Sequence, residues 1–335
     1  MAKLIDEIQL AWSSIQSAQG TSGWSTVAVV PSRPGKFLAG RNFPDKCEAL
    51  IAGFHSSTFP RNEKLPEGLG FQVTRLEIAQ DGLTWLALTR SKDGNLELFS
   101  AMVSNVVEAV LALNNADDSR DLRVFLGRIR AWQEFMRKGA VPLTAENEVG
   151  LIGELTFLEA MLKAGVAADI AVNSWVGPTA DGVRDFALGF GAVEVKTTIS
   201  SNGFVAKIGS LEQLDDANCK PIFLGAFRLS LTETGQTLPD KVSEISELFD
   251  SDPVTKSAFQ DRLLGAGYLL SHAHHYHRRF SFKEMVILEI DHDFPCMTHG
   301  NVKTGVISAR YEINLEPFIS RDVGLPFALK KLEMI

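Results

Sequence analysis

The chain of 335 residues is 45% hydrophobic and carries a formal net charge of −8, enough apolar content to bury a real core, so disorder is not its expected state. The acidic balance argues against broad, non-specific attraction to phosphate backbones, so a nucleic-acid role has to rest on a local site. No apolar run is long enough to cross a bilayer, and the start, "MAKLIDEIQLAWSSIQ", has acidic residues inside its apolar pattern, unlike a secretory signal; a soluble cytoplasmic protein with no membrane partner is expected. Cys47, Cys219 and Cys296 are odd in number and fall in no CxxC spacing, which points to reduced thiols rather than a disulfide framework or a thiolate zinc site.

In chain order, Leu4, Ile5, Ile8 and Trp12 recur at a helical period and "QGTSG" follows as a stop. From Trp24 to Phe99, "WSTVAVV", "GKFLAG", "FQVTRLEI", "LTWLALTR" and "LELFSAM" are short, rich in β-branched and aromatic residues and separated by turn formers, so the region is expected to be mostly β. Helical patterning returns in "SNVVEAVLAL", "DLRVFLGRIRAWQEFMRKG" and "TAENEVGLIGELTFLEAMLKAG". A domain boundary is expected between Gly139 and Thr144, giving a β-rich recognition or docking region over 1–140 and a second domain over 141–335 with its core at 144–231.

That core reads as a long helix, strands at "IAVNSW", "VRDFALG" and "AVEVKTTI", a helix from "SLEQLDDA", and a strand at "PIFLGAFRLS". The order is αβββαβ, an α/β (α+β) layered sheet. The C-terminal extension is mixed, with helical periods at 241–250 and 254–270 and strands at "EMVILEI" and "TGVISARYEINL".

"GVRDFALGFGAVEVKTTIS" carries the chemistry. Side chains alternate faces along a strand, so Glu194 and Lys196 share one face while Val193 and Val195 take the other. A two-residue turn at Gly189-Phe190 sets Asp185 opposite Glu194, and one at Phe190-Gly191 sets it opposite Lys196; a three-residue turn needs a bulge, which Gly191 could supply. Either two-residue register puts all three side chains together. Two carboxylates, a backbone carbonyl such as that of Val195 and a substrate phosphate oxygen would suit a hard cation such as Mg²⁺, with Lys196 orienting a water: metal-assisted phosphodiester hydrolysis. The same residues would also make an ordinary cross-strand ion pair on a wet hairpin face.

On the preceding helix, Glu154 lies at the edge of the stripe Leu151, Leu155, Leu158 and Leu162; it either pairs with a metal or Lys196, or snorkels to solvent. Gly150 and Gly153 each cost about 1 kcal/mol in a helix interior relative to Ala, which hints at a close backbone approach. Ser210 to Gln213 has the form of a capping box starting a helix at Leu211. Arg123, Arg128, Arg130, Arg137 and Lys138 form a basic face that would be either a solvated helix surface or a DNA-facing groove. "HAHHYHRRF" lacks a matched carboxylate or Cys set for zinc and reads as a polar segment with Arg278 and Arg279 available to phosphate.

"GLIGELTFLEAML", "NSWVGPTADGVRDF", "AVEVKTT" and "IGSLEQL", in that order, resemble the PD-(D/E)XK nuclease superfamily. More narrowly they resemble a bacterial group named only as PD-(D/E)XK family members and found near restriction, methylation and phage-defence genes. The close resemblance spans about 145–230, with a weaker echo in "DFPCMTHGNVKTGVISARYEINL". It implies an αβββαβ core and Mg²⁺-dependent DNA cleavage, with Mn²⁺ as substitute. By its motif Asp185 and Glu194 are metal ligands, Lys196 positions the attacking water, Glu154 is an accessory acid, and Gln213 is a candidate accessory on the second core helix. Arg184 stands where the Pro that names the superfamily is expected, and Asp181, in the "GPTADG" turn, is the rival ligand. The implied partners are DNA, other subunits of a restriction or defence system, or a second copy in a homodimer. The alternative function is a catalytically inactive nuclease-fold subunit that binds DNA or protein.

Overall fold

The computed structural model describes residues 2–16, 22–30, 36–55, 64–76, 82–113, 118–137, 139–177, 183–217 and 219–335. The chain divides into two compact units, Met1–Ala140 and Val141–Ile335.

The first unit opens with α1 (Ala2–Ser14) and continues with β1 (Gly23–Val29), β2 (Phe37–Phe43), β3 (Cys47–His55), β4 (Glu67–Gly68), β5 (Phe71–Leu76) and β6 (Leu83–Arg90). These strands form one antiparallel sheet in the order β1-β2-β3-β6-β5-β4. Strand β3 was not among the expected elements. "CEALIAGF" is apolar apart from Glu48 and has no alternation, and all eight residues are buried, so no period marks it as strand or helix. "LELFSAM", expected as a strand, instead starts α2 (Leu96–Leu111): the Asn95 side chain accepts the Leu98 N–H, and Phe99, Met102, Val103, Val106, Val107 and Val110 bury one helical stripe. Helix α3 (Asp118–Arg137) follows.

The second unit holds α4 (Ala145–Lys163), α5 (Ala168–Ser174), β7 (Phe186–Leu188), β8 (Gly191–Thr198), β9 (Val205–Ile208), β10 (Ile222–Gln236), α6 (Leu238–Glu247), α7 (Pro253–Gly265), β11 (Phe280–Glu289), β12 (Tyr311–Asn314) and α8 (Leu325–Lys331). Its main sheet runs β11-β10-β8-β7, with β8 and β10 parallel and the outer pairs antiparallel; β9 and β12 form a separate antiparallel pair. This is a mixed α+β nuclease-like architecture. Thr144 caps α4 by accepting the Asn147 N–H, and α4 buries Leu155, Leu158 and Met161 against Val193, Val195, Phe223 and Phe227. Along β10 the alternate residues Ile222, Leu224 and Ala226 enter a second core with Phe204, Ile208, Leu214, Leu288 and Ile313. Both faces of β10 are therefore covered from Ile222 to Phe227, which explains its unbroken apolar start.

Two core elements differ from expectation. "IAVNSW" is mostly helix α5, with only Trp175 making an isolated bridge to Phe186. The third strand is β9, and "SLEQLDDA" forms turns rather than a helix. The capping-box arrangement appears at Thr237 and Asp240, at the start of α6.

Candidate active site

The β7–β8 hairpin pairs Phe186 with Val193, Ala187 with Ala192 and Leu188 with Gly191, so its turn is Gly189-Phe190. One step further in that register sets Asp185 opposite Glu194. β7 begins at Phe186, and the Asp185 side chain just before it continues the ladder in place of a strand: its Oδ2 accepts the Val195 N–H at 2.7 Å. A strand residue directs its N–H and C=O toward the same edge, so the Val195 carbonyl faces the Asp185 side as well.

Alternation carries Glu194 and Lys196 to the face opposite Val193 and Val195, and Lys196 Nζ lies 2.6 Å from Glu194 Oε1. Glu194 is 1% exposed, which rules out the wet hairpin face. Its second oxygen, Oε2, is buried without a hydrogen-bond partner. Glu154 approaches from α4, which lies so close to β8 that a Cβ on Gly153 would meet Thr197 Oγ1 at 1.7 Å. Gly153 makes the close approach expected of it; Gly150 has open space. The partner of Glu154 is the Trp175 indole N–H, 2.7 Å from Oε2, rather than Lys196.

The electrostatics follow from three carboxyls, Glu194 buried and Asp185 and Glu154 half-buried, beside one half-buried ammonium. Burial, and then the neighbouring Asp185, push Glu194 up to about 8, against the pull of Lys196. Burial and the charge of Asp185 raise Glu154 well above the usual carboxylate range, although the Trp175 N–H opposes this. Asp185 is raised by burial, with Lys196 and the Val195 N–H pulling it back. Burial works against the charge of Lys196, but Glu194 and Asp185 outweigh it and hold the ammonium above its ordinary value. The cluster has more negative charge than its own cation can offset.

The donor chemistry of this set suits a divalent cation, although as they stand the three carboxyls do not converge to single-ion spacing. The donors are hard carboxylate oxygens, one of them orphaned, with a backbone carbonyl directed to the same edge.

Arg184, in the position of the superfamily Pro, donates to the carbonyls of Gln213 (3.1 Å), Glu212 (3.0 Å) and Asp215. Those carbonyls are the ones a helix from Leu211 would use for its own ladder, which accounts physically for the turn found there. Gln213 does return its side chain to the backbone, but to the Gly209 N–H at 2.7 Å, and it makes no hydrogen bond to the carboxylates.

The remaining candidates lie elsewhere. Arg128 is 0% exposed within the first unit, with Nη1 3.5 Å from Asn105 Oδ1, so the DNA contact expected of it has no surface to use. Arg130 is exposed and donates to the Lys64 carbonyl at 3.4 Å. Arg278 is a structural residue: it holds the first turn of α4 through Glu148 at 2.7 Å and the Ala145 carbonyl. Arg279 is exposed and donates to the Gly235 carbonyl at 2.9 Å. Asp181 and Lys138 lie outside the described residues. Among the described residues the only grouping with metal-ligand spacing of single atoms is Asp291, His292 and Asp293, all exposed, and no helix is long and apolar enough to cross a membrane.

Sequence reasoning missed Trp175 and the partners of Arg184. The available signal was chemical: a buried indole needs an acceptor, and Trp175 lies within the same motif as Asp185.

A family model described as "Putative PD-(D/E)XK family member, (DUF4420)" matches residues 8–316, far beyond the 145–230 stretch of closest resemblance and including nearly all of the first unit. No curated protein and no solved structure matches the chain.

Proposed function

Because the chain belongs to this PD-(D/E)XK family, whose nucleases typically use divalent metals, we propose that it is a Mg²⁺-dependent DNA endonuclease, with Mn²⁺ as a substitute. The observation that carries the reading is the gathering of half-buried Asp185 and Glu154 about the buried Glu194, whose Oε2 lacks a partner. Such a cluster is costly unless a cation completes it.

Asp185, Glu194 and the Val195 carbonyl would hold the metal, and Glu154 adds a third acid beside it. When bound, the cation supplies Lewis acidity and a more acidic water. Lys196 remains charged and is held by Glu194 Oε1 at 2.6 Å, where its ammonium orients the attacking water and offsets charge developing on the phosphate. Asp185 is fixed by the Val195 N–H, so the carboxylates need not reorganise as the substrate arrives. Arg130 and Arg279, which are exposed, are assigned to phosphate contact. A restriction or phage-defence role and cytoplasmic location belong to the same reading.

The test is plasmid cleavage in Mg²⁺ by wild type, Asp185→Ala and Lys196→Ala. A loss of about 10²-fold or more is expected in each variant; unchanged activity in both sinks the assignment. DNA binding that ignores Mg²⁺ and Mn²⁺, without cleavage, would favour the inactive binding subunit instead. Phage plating on cells with and without the gene tests the defence role, and sedimentation tests the homodimer.

A further inference from the structure

We infer that Trp175 is a positioning residue of this site, orienting the Glu154 carboxyl through its indole N–H while its own backbone segment holds Asp185; the inference rests on the nuclease reading. Trp175 is fully buried and stacks on Phe186, with ring centroids 6.4 Å apart and planes at 18°. It also forms the isolated antiparallel bridge to Phe186, the residue that follows Asp185. Its ring is thus fixed by packing, and its N–H has one direction in which to point. That direction is Glu154 Oε2, at 2.7 Å.

The next two residues act on the other acid. The N–H groups of Val176 and Gly177 both donate to the Asp185 carbonyl, at 2.9 and 3.2 Å. Gly177 has φ +61°, a left-handed conformation that glycine adopts without the Cβ penalty. Residues 175–177 therefore bracket the site: the side chain sets a carboxyl that arrives from α4, and the backbone sets one that arrives from β7. An indole is suited to this because it is a neutral, single donor. It fixes the rotation of the Glu154 carboxyl at one oxygen without cancelling the negative charge that a cation needs, as a lysine or arginine there would.

The test is Mn²⁺ binding by isothermal titration calorimetry on the full chain in four forms: wild type, Trp175→Phe, Glu154→Gln and the double variant. Phenylalanine keeps the ring packing and removes the N–H. Trp175→Phe is expected to weaken Mn²⁺ binding about 10–100-fold when Glu154 is present, and by less than about 2-fold in the Glu154→Gln background, because the residue acts through that carboxyl. A purely structural tryptophan would give the same loss in both backgrounds, and that result, or no loss at all, overturns the inference. Wild type that binds no Mn²⁺ overturns the nuclease reading and this inference with it, whereas tight wild-type binding unaffected by Trp175→Phe overturns this inference alone. Should Trp175→Phe fail to fold, the Trp175 indole N–H resonance decides: Mg²⁺ is expected to move it in wild type and to leave it in place in Glu154→Gln, and a resonance that ignores Mg²⁺ in wild type refutes the role.

Discussion

Helix α4 carries two acids with opposite fates, Glu159 buried and Glu154 half-buried. Glu159 sits between Lys163 Nζ at 2.7 Å and Lys241 Nζ at 2.6 Å. Burial works against its charge, and the two ammonium groups more than offset this, so Glu159 stays below the usual carboxylate range. Glu154, on the same helix, has a neutral indole for a partner and Asp185 and Glu194 for neighbours, and its carboxyl is held well above that range. Each cluster is built on one buried acid, Glu159 in the first and Glu194 in the second. What separates a structural ion group from a candidate site is therefore the charge balance, two ammonium groups held directly by Glu159 against one, Lys196, held among three carboxyls. The first cluster is complete within the chain, and the second is complete only with a cation from outside.

Lys241→Ala is expected to have the largest effect on that contrast. It leaves Glu159 buried with only the largely exposed Lys163, and chemical denaturation should report a loss of about 3–5 kcal/mol, while Mn²⁺ affinity stays at the wild-type value. A matching loss of Mn²⁺ binding would show that the two clusters are not separate.

Glu194→Gln is expected to act in the opposite direction. The folded-state value of Glu194, about 8, lies above its ordinary 4.5, so the native state binds the extra proton between those limits. Stability without metal must then fall as pH rises from about 4.5 to about 8, by on the order of a few kcal/mol. The neutral amide of Glu194→Gln removes that slope, so the variant should melt above wild type at pH 8 and close to it at pH 4. Added Mg²⁺ should lift wild type and not the variant. A wild-type melting temperature that is flat across this window without metal would break the charge-balance account.

Gly153→Ala probes the backbone approach that brings Glu154 to the sheet. The new methyl would overlap Thr197, at a cost of about 1–3 kcal/mol, whereas Gly150→Ala, which meets open space, should gain up to about 1 kcal/mol. Urea midpoints of the pair check the sign. Smallest of all is Lys163→Ala, expected to cost about 0.3–0.5 kcal/mol, because this cation is largely exposed and Glu159 keeps Lys241.

The resemblance carried the fold class and family, but not every element. The alternation of "AVEVKTT" alone placed Glu194 and Lys196 together, and the Gly189-Phe190 turn was one of two registers the spacing allowed. Helix α4 was legible from its 3.6-residue period, with Glu154 on it. Strand β3 was not, because a strand buried on both faces has no polar beat. The segment 210–217 misled because its local capping signal is real while its carbonyls are claimed by Arg184, more than two dozen residues earlier in the chain. Arg128 misled because its basic neighbours suggested a surface, and only packing revealed that it is enclosed.

The sequence by itself determined which side chains share a face, since the two-residue period of a strand and the 3.6-residue period of a helix are properties of neighbouring bonds. Only the tertiary structure decided what those side chains are. Whether Glu194 is a wet surface acid or a buried one held near pH 8, and whether Glu154 meets lysine, solvent or indole, depends on desolvation and partners brought from distant segments. Those terms sum over space rather than along the chain, so the spacing that assembled Asp185, Glu194 and Lys196 could not state the charge they carry.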